Sequence, residues 1–526
     1  MPQQWSYAVQ RSDFLFTNEN CRILTTEQMS FCEKASEKYG VSLSALMDNA
    51  GEKLAKHIIS ACKNKKEAAL LIGKGNNGGD GLVAANILKQ NSIEPVIIFC
   101  CGMPATELSK NAAAKLSKDI KIYEQITDEA LSEIENAQIL VDCIFGTGFH
   151  GKLRENILPV FNACQKSKAY KIACDIPSGG NAENGDADKL TFNADITITF
   201  HREKLGLRLS PCRYFCGNII TEDIKTPDEC EESLDFEITR LTEPQARKLL
   251  PKRTPYGHKG TFGKIISVCG SESYIGAAGI SALSAIHTGV GLFELCTPKA
   301  VISSISSRIL ECTYSSMETD SQGFMTSGNV EKILEKCRKA SCLLIGCGLG
   351  HTNETEKLVK ELVENSPCSV VLDADGINSL CPNIDVLYKT KSQVILTPHP
   401  AELARMCGCE VSDILYDRLN FAKQLSEKYS VTVLAKGAET FSVSDPKAIL
   451  TDKGNTALAK GGSGDMLAGI TASFTAQGMN LQNAGALASF VMGKAAETAS
   501  ENCSERGLTA SDIIKVIPYV LKKLES

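Results

Sequence analysis

The stretch "AKGGSGDMLAGI", residues 459–470, places four glycines and one aspartate, Asp465, at the start of a predicted helix. Backbone N–H groups in a glycine-rich turn converge at a helix N-terminus, where the helix dipole favours an anion. Gly461, Gly462 and Gly464 can therefore form an anion hole for a transferring phosphoryl group. A carboxylate fixed at the same point can accept a proton from the attacking hydroxyl, so the pattern predicts a phosphoryl-transfer loop.

The alternative for this stretch is a capped helix that follows a flexible turn. Asn455 upstream and the density of glycines exceed what a cap requires, which favours the phosphate interpretation. The surrounding sequence alternates apolar runs with helical patterns, which is typical of a parallel sheet covered by helices. The predicted strands are 263–270, 291–296, 341–348, 369–376, 393–400 and 430–437, and the predicted helices are 276–288, 329–339, 353–364, 410–428, 463–477, 483–500 and 509–524.

Three further groups follow predicted strands of this half, at the sheet edge where open α/β proteins bind ligands. Gly348 ends "LLIGCGLG", His399 lies between two prolines in "VILTPHPAEL", and Lys436 ends "VLAKG". His399 could equally be a loop histidine with satisfied hydrogen bonds, and Lys436 could equally be a solvated lysine. The small-residue run 270–295 permits close approach of a ligand, although tight helix–sheet packing would produce the same pattern.

The first half of the chain shows the same alternation. Its predicted strands are 68–73, 95–100, 138–146, 171–177 and 195–200, and its predicted helices are 25–38, 43–62, 80–90, 106–118, 127–136 and 155–167. Thr25 and Gln28 have capping-box spacing. The rhythm breaks in an acidic, proline-containing segment. We therefore predict two α/β domains with these boundaries: an extension over 1–24, a first domain over 25–226, a linker over 227–240 and a second domain over 241–526.

Three strand tips of the first domain carry glycines or acids. "GKGNNGGDGLVA", residues 73–84, is neither a dinucleotide fingerprint nor a Walker loop, but it brings Asp80 to a helix start. Asp142 precedes a glycine-rich loop, and Asp175 and Ser178 lie in "CDIPSGG". One such tip alone is more often a turn with an N-cap aspartate. Three tips on one sheet favour a site in which carboxylates act as an acid or base or hold a cation.

Composition narrows the function classes. The chain has 526 residues, of which 43% are hydrophobic and 22% charged. Its net charge of −6 does not favour binding to nucleic acid or to an anionic membrane surface. We see no secretory signal and no apolar run long enough to span a bilayer, and we expect a cytoplasmic protein. The 22 cysteines include no C-x-x-C pair, so we expect free thiols rather than a zinc ribbon.

Together these motifs resemble a known family. The second half, through "HKGTFGKIISVCGS", "GCGLG", "LDADGIN", "TPHPAE", "KGAET" and "NTALAKGGSGDMLAGI", resembles the nucleotide-dependent NAD(P)H-hydrate dehydratases of ribokinase-like fold. The first half, through "GNNGGDG", "VDCIFGTGFHGKLR" and "DIPSG", resembles the Rossmann-like NAD(P)H-hydrate epimerases. Their order is that of the bifunctional NAD(P)H-hydrate repair enzymes. Two departures are Cys347, where the family usually has proline, and Gly180, where it usually has an apolar residue.

The resemblance implies a role for each matching residue. In the epimerase domain the substrate would contact Asn76, Asn77, Gly78, Gly79, Asp80, Gly146, Thr147, Gly148, Phe149, His150, Gly151, Lys152 and Asp175. Potassium would be held by Asn77, Asp142 and Ser178. In the dehydratase domain the substrate would contact Ala277, Gly348, His399 and Asp465. The phosphate donor would contact Lys436, Gly437, Ala438, Glu439, Thr440 and Gly464.

The implied reactions are epimerisation of hydrated NADH or NADPH and dehydration of the S epimer at the expense of ADP or ATP with Mg²⁺. A fused chain of bacterial type tilts the donor toward ADP, by resemblance alone. Asp465 would be the dehydratase base. Asp175 is the preferred acid or base of the epimerase, with Asp80 next.

Two rival interpretations remain at this point. A vitamin or sugar kinase with a non-catalytic first domain would also carry the anion hole. The first domain could instead be a binding or scaffold module, as related domains of mRNA-decapping factors are, although the presence of Asp80, Asp142 and Asp175 together argues against that. The expected partners are small molecules, with neither nucleic acid nor membrane, and we expect a homo-oligomer because ribokinase-like cores often associate.

Overall fold

Buried apolar runs in the first half of the chain form a seven-stranded, fully parallel sheet in the order β4-β3-β2-β5-β6-β7-β9. The computed structural model describes residues 21–62 and 67–526. The strands are β2 (Glu67–Ile72), β3 (Glu94–Phe99), β4 (Lys121–Tyr123), β5 (Ile139–Cys143), β6 (Tyr170–Cys174), β7 (Ile196–Phe200) and β9 (Asn218–Glu222).

Helices cover both faces of this sheet, as continuous apolar strands require. Those of the first half are α1 (Thr26–Ala35), α2 (Leu43–Cys62), α3 (Asn76–Gln90), α4 (Glu107–Ala114), α5 (Asp128–Asn136) and α6 (Leu158–Lys166). Leu54 and Leu82, from α2 and α3, belong to the hydrophobic core on one face. Ile134 and Phe161, from α5 and α6, belong to the core on the other face.

A second sheet of twelve strands, in the order β13-β12-β11-β14-β15-β16-β17-β18-β19-β10-β1-β8, organises the second half. Its strands are β1 (Arg22–Leu24), β8 (Glu203–Lys204), β10 (Glu237–Arg240), β11 (Lys264–Val268), β12 (Leu292–Pro298), β13 (Thr313–Met317), β14 (Cys342–Ile345), β15 (Ser369–Leu372), β16 (Val394–Leu396), β17 (Thr432–Ala435), β18 (Thr440–Ser444) and β19 (Lys447–Thr451). The order runs parallel from β13 to β17, and β18 and β19 then form an antiparallel hairpin.

The helices of the second half are α7 (Glu243–Leu249), α8 (Ile275–His287), α9 (Lys299–Ile305), α10 (Val330–Cys337), α11 (Asn353–Asn365), α12 (Asp375–Leu380), α13 (Pro400–Cys407), α14 (Val411–Tyr416), α15 (Arg418–Tyr429), α16 (Ser463–Ala476), α17 (Leu481–Ser500) and α18 (Ala510–Glu525). Residues of α8, α16, α17 and α18 bury one face of the sheet. Residues of α10, α11, α13 and α15 bury the other face. The predicted α/β class with two helix-covered sheets is confirmed.

Short 3-10 helices connect these elements. They are Ser36–Tyr39, Glu155–Ile157, Leu205–Arg208, Cys212–Phe215, Asp228–Glu231, Ser327–Asn329, Cys381–Tyr388 and Thr456–Leu458. The capping box predicted for α1 is present, since the Thr25 hydroxyl accepts the Gln28 N–H and the Gln28 side chain accepts the Thr25 N–H, both at 3.1 Å. Over the described ranges, no helix combines the length and apolar character needed to cross a membrane.

Several helix predictions are wrong in detail; the helix predicted over 106–118, for example, ends at Ala114. The helix predicted over 80–90 begins four residues earlier, at Asn76, so that Asp80 lies inside α3 rather than at its N-cap. The helix predicted over 410–428 is two helices, because Asp417 has a non-helical backbone (φ −145°, ψ 60°) that breaks the run between α14 and α15.

Short strands tie the two halves of the chain together. Ile23 in β1 pairs with Ile238 in β10 on one side and with Glu203 in β8 on the other. β10 lies within the predicted linker and pairs with β19. β1 lies at the end of the predicted extension, whose residues 1–20 are outside the described residues. The domain boundaries stay predictions, and in this fold residues from the first half extend the sheet of the second.

Candidate active sites

The carboxyl ends of β2, β5 and β6 bring three predicted cation ligands together in the first domain. Asp142 is fully buried, and its Oδ2 accepts the Ser178 N–H at 2.7 Å. Its Oδ1 accepts the Ser178 hydroxyl at 2.7 Å and the Ile144 N–H at 3.1 Å. The Asn77 amide donates to the Phe145 carbonyl at 3.0 Å. An amide, a carboxylate, a hydroxyl and a carbonyl thus meet in one buried cluster.

Among the described residues, this cluster contains one oxygen without a hydrogen-bond partner and one buried carboxylate. The Asn77 Oδ1 is buried and finds no hydrogen-bond partner among the described residues. Burial raises the pKa of Asp142 to about 6, although the hydrogen bonds from Ser178 and Ile144 oppose the shift. An unsatisfied oxygen beside a costly buried carboxylate is a place where a cation would be stabilised. The donor set consists of oxygens, which suit an alkali cation such as potassium.

A second group of acids lies beside this cluster. Asp175, just after β6, has a left-handed backbone (φ 64°) and accepts the Thr199 hydroxyl at 3.0 Å and the Lys204 ammonium at 2.5 Å. Burial raises the pKa of Asp80 well above its ordinary value, and the neighbouring carboxylates of Asp175 and Glu33 add to the shift. Burial likewise raises the pKa of Glu33. The Lys204 ammonium is therefore paired with Asp175 and also acts electrostatically on the carboxyl groups of Asp80 and Glu33.

Lys204 and Glu33 are absent from the sequence prediction. The Lys204 side chain is 1% exposed and also donates to the Thr199 hydroxyl at 3.1 Å and the Phe200 carbonyl at 2.9 Å. Its only sequence signal is that it follows the predicted strand over 195–200. Glu33 lies in α1, far along the sequence from the predicted strand ends that mark the other acids. Only the tertiary structure shows that it lies near Asp80.

The glycines of α3 have a structural explanation. A Cβ on Gly78 would lie 2.0 Å from the Gly73 carbonyl oxygen, and one on Gly79 would lie 2.5 Å from the Met47 methyl. These two positions therefore allow α3 to pack closely on β2 and α2. Asn76, in contrast, is exposed and accepts the Thr106 hydroxyl at 2.7 Å.

The loop 146–152 lies along the open side of this site. Phe149 stacks on Phe145 with ring centroids 5.0 Å apart, and the His150 Nδ1 lies 3.4 Å from the Asn181 amide nitrogen. A Cβ on Gly146 would lie 3.2 Å from the Asn77 Cβ, so the loop begins directly against the proposed cation ligand. Thr147, Gly148, Gly151 and Lys152 complete this partly to fully exposed segment.

In the second domain, α16 begins at Ser463 and presents Asp465 in its first turn, as predicted. Gly462 takes the left-handed N-cap conformation (φ 93°). Burial raises the pKa of Asp465 to about 6, and the nearby Asp373 carboxylate adds to the shift. A carboxylate that ionises near neutral pH suits a general base.

Lys436 is not the solvated lysine that one interpretation of the sequence allowed. Its ammonium is 2.7 Å from the Asp373 Oδ1, which also accepts the Thr397 hydroxyl at 2.5 Å. A Cβ on Gly464 would lie 3.7 Å from the Lys436 Nζ and 3.8 Å from the Asp373 Oδ2. The glycine loop, the lysine and two aspartates therefore meet at one point, and Asp373 is a site residue that the sequence analysis missed.

Gly348 and Ala277, both predicted to contact the substrate, lie against each other. Gly348 has a left-handed backbone (φ 63°), and a Cβ there would lie 2.8 Å from the Ala277 Cβ. His399 caps α13, because its Nδ1 accepts the N–H groups of Ala401 at 3.1 Å and Glu402 at 3.3 Å. The ring is half exposed, and burial followed by the Lys436 charge lowers its pKa. The His399 Nδ1 therefore has its hydrogen bonds satisfied by neighbouring backbone N–H groups, which is the alternative that the sequence left open.

The predicted donor segment 436–440 lies at the junction of the domains. Glu439 is buried, and its carboxylate accepts the Ser210 hydroxyl at 2.6 Å, the Ser210 N–H at 3.2 Å and the Arg213 guanidinium at 3.0 Å. Gly437 and Ala438 line a cleft of about 920 Å³ between the halves, whereas Thr440 is buried at the start of β18. Residues of the first domain therefore bind the Glu439 side chain, whereas Gly437 and Ala438 beside it are exposed.

Comparison with known proteins decides the family. Residues 43–206 match a family described as YjeF-related protein N-terminus, and residues 265–519 match the family of NAD(P)H-hydrate dehydratases. A bifunctional NAD(P)H-hydrate repair enzyme of Moorella thermoacetica is 32% identical over 96% of this chain and 97% of its own length. This chain belongs to the bifunctional NAD(P)H-hydrate repair enzymes.

Other members of the family are similarly close. The bifunctional NAD(P)H-hydrate repair enzyme of Escherichia coli is 30% identical over 93% of this chain and 91% of its own length. Among solved structures, the ADP/ATP-dependent NAD(P)H-hydrate dehydratase of Bacillus subtilis, co-crystallised with ATP and Mg²⁺, is 28% identical with a TM-score of 0.47. It covers 56% of this chain, which covers all (100%) of that structure. The predicted membership in the repair-enzyme family is confirmed.

Proposed function

We propose that this member of the repair-enzyme family interconverts the R and S forms of hydrated NADH and NADPH in its first domain and dehydrates the S form in its second. The observation that carries the proposal is the pair of acid-bearing sites, each at the carboxyl ends of its own sheet: one around Asp175, the other around Asp465. A kinase with an inert first domain would have no use for the buried Asp175–Lys204 pair.

Dehydration begins at the C6 hydroxyl of the hydrate, which is a poor leaving group. Asp465 accepts the hydroxyl proton as the oxygen attacks the terminal phosphorus of ADP or ATP, and the donor leaves as AMP or ADP. N–H groups at the start of α16 stabilise the transferring phosphoryl group. Phosphate then departs with electrons supplied by the ring nitrogen, and loss of a C5 proton restores the dihydronicotinamide.

The phosphate donor would lie along the segment 436–440 and Gly464. Asp373 would orient the Lys436 ammonium toward the phosphates of the donor. Magnesium, when bound, offsets phosphate charge. The Asp373 carboxylate would offer an oxygen ligand of the kind that magnesium prefers, which leaves Asp465 free to accept the substrate proton. Ala277, Gly348 and His399 would border the nicotinamide ring on the opposite side.

Phosphate release distinguishes this reaction from that of a kinase. With hydrated NADH and ADP as substrates, we expect one inorganic phosphate and one AMP for each NADH formed, measured by phosphate assay and chromatography. A stable phosphorylated product that accumulates without NADH would support the kinase alternative instead.

Epimerisation needs one group that accepts a proton and one that donates. C6 of the hydrate is a hemiaminal carbon: loss of its hydroxyl proton and protonation of the ring nitrogen break the C6–N1 bond and give an open-chain aldehyde. The nitrogen then re-forms the C6–N1 bond on the other face of the aldehyde, with the reverse proton transfers, and the configuration is inverted. Asp175, charge-paired with Lys204, is suited to accept a proton. Asp80, whose raised pKa favours the protonated form, is suited to donate one. Two carboxyl groups in different environments, one paired with an ammonium and one desolvated, are a common basis for acid–base catalysis.

Lys204 acts here as a positioning residue for Asp175. We expect Lys204→Met to lower kcat for epimerisation about 10- to 100-fold with a smaller change in KM, because the Asp175 carboxylate loses the ammonium that orients it. Lys204→Arg should recover part of the rate. Dehydration of the purified S epimer by the same proteins reports whether the fold is intact. Equal epimerisation rates in wild type and Lys204→Met would remove this role.

Potassium is proposed to bind between Asn77, Asp142 and Ser178, since the buried Asn77 Oδ1 lacks a partner among the described residues. Replacing potassium with a bulky organic cation should slow epimerisation and leave dehydration unchanged. Asn77→Ala should raise the potassium concentration for half-maximal rate about tenfold, through loss of one charged contact. A rate that is independent of potassium in both proteins would contradict the assignment.

Association into a homo-oligomer and a cytoplasmic location stay predictions from the sequence. Sedimentation of the purified chain tests the first, and fractionation of cells that express it tests the second. The choice between ADP and ATP is tested by comparing kcat/KM for the two donors.

A further inference from the structure

A thiol lies among the acids of the dehydratase site. The Cys347 sulfur is 3.9 Å from the Asp373 Oδ2. The ligand atoms of Cys347, Asp373 and Asp465 all lie within 4.8 Å of one another. Cys347 and Asp373 are buried, whereas Asp465 is half-buried and borders the open side of the site.

The Asp373 carboxylate has one satisfied and one poorly satisfied oxygen. Its Oδ1 accepts Thr397 and Lys436, whereas the contact found for its Oδ2 within the described chain is the weak thiol donor of Cys347. Asp373 is 1% exposed, so solvent does not replace the missing donor. Lys436 neutralises one of the two aspartates, which leaves net negative charge directed at the thiol when Asp465 is ionised.

The three groups lie at the ends of neighbouring elements of the fold. Cys347 lies just after β14 between Gly346 and Gly348, both with left-handed backbones (φ 123° and 63°). Asp373 follows the end of the neighbouring strand β15, and Asp465 is fixed in the first turn of α16. Such placement preorganises ligands before an ion arrives.

The spacing suits a small tetrahedral ion. Zinc bonds sulfur at about 2.3 Å and carboxylate oxygen at about 2.0–2.2 Å, so tetrahedral ligands lie roughly 3.3–3.6 Å apart. The observed separations are at most 4.8 Å, so they need to shorten by roughly 1.5 Å or less, which is within the reach of side-chain rotation. Three protein ligands leave a fourth position that water or a phosphate oxygen can take.

We propose that Cys347, Asp373 and Asp465 bind a thiophilic divalent cation such as Zn²⁺ in the dehydratase site. Thiolate ligation selects zinc or cadmium over magnesium, which prefers oxygen. The bound ion occupies the carboxylate that must accept the substrate proton, and it therefore inhibits dehydration. The thiol proton is released to solvent on binding.

Metal binding is tested on the full-length reduced protein with Zn²⁺ alone, by equilibrium dialysis and elemental analysis. We expect one tight site in wild type and at least tenfold weaker binding in Cys347→Ser and Cys347→Ala. Cys503→Ser is the matched control, because Cys503 is an exposed thiol, and it should bind as wild type does. With Co²⁺ as the probe, a sulfur-to-metal charge-transfer band should appear in wild type and in Cys503→Ser and disappear in both Cys347 variants.

Inhibition provides the second readout, with each protein normalised to its own metal-free rate. Zn²⁺ should inhibit dehydration by wild type and Cys503→Ser at concentrations at least tenfold below those needed for Cys347→Ser. Unchanged zinc affinity in both Cys347 variants, or the absence of a tight site in wild type, would overturn the proposal. The inhibition arm rests on the proposed function, whereas the binding arm does not, so the two failures are distinguishable.

Discussion

Asp465→Asn is expected to lower nucleotide-dependent dehydration of the S hydrate by about 10²–10⁴-fold, the usual cost of losing a general base. The amide keeps the shape of the side chain and its place in the first turn of α16, but it cannot accept the C6 hydroxyl proton. The measurement is the initial rate of NADH formation from purified S hydrate with saturating donor. The same protein should epimerise the R hydrate at the wild-type rate.

The pH dependence of wild type provides a second signature of Asp465. Its pKa is raised to about 6, chiefly by burial, so the base is protonated below pH 6 and ionised above it. Therefore kcat/KM for dehydration should rise with pH through about 6 and level off near neutrality, since this parameter reports the free enzyme. The residual activity of Asp465→Asn should lack this rise. Substantial dehydration by the variant would remove Asp465 from the mechanism.

Asp175→Asn should have the opposite selectivity. We expect epimerisation to fall by about 10²–10⁴-fold, because the Lys204-paired carboxylate is the proposed proton acceptor. Dehydration of purified S hydrate should remain within twofold of wild type. Epimerisation is measured by the conversion of R to S hydrate, separated by chromatography.

The control for this variant concerns the buried lysine. Asparagine leaves the Lys204 ammonium with Thr199 and the Phe200 carbonyl as partners but without a counter-charge. An unpaired buried charge destabilises the fold. The double variant Asp175→Asn/Lys204→Met removes both charges, and it should recover stability without recovering epimerisation. Unchanged epimerisation in Asp175→Asn would exclude Asp175 as acid or base.

Much of this fold can be read from the sequence because buried parallel strands are continuous apolar runs. "AALLIG" and "SCLLIGCG" each predict a strand within a few residues of β2 and β14. Two of the missed strands, β1 and β8, have no such run. β1 and β8 have three and two residues, too few for any periodicity, and they pair only because the chain brings distant segments together.

The same distinction applies to the sites. Asp142, Asp175 and Asp465 follow strands or open helices, where sequence position alone marks them. Glu33 and Lys204 reach the first site from elements with no motif, and only tertiary packing places them.

For Lys436 and His399, only the fold decides between the alternatives that the sequence leaves open. Whether Lys436 is solvated or paired depends on Asp373, which is 63 residues away. Whether His399 is a ligand or a cap depends on the direction in which its ring turns, and the Nδ1 contacts show a cap. The sequence leaves both alternatives open because a side chain's partners are set by the fold.

The most direct test gives the wild-type protein an equimolar mixture of R and S hydrated NADH with excess ADP or ATP and Mg²⁺. The absorbance band of reduced nicotinamide is followed to completion. We expect all of the hydrate to return to NADH, since the first domain supplies S hydrate as the second consumes it. Recovery that stops at half would contradict an active first domain, and no recovery with either donor would contradict the repair function itself.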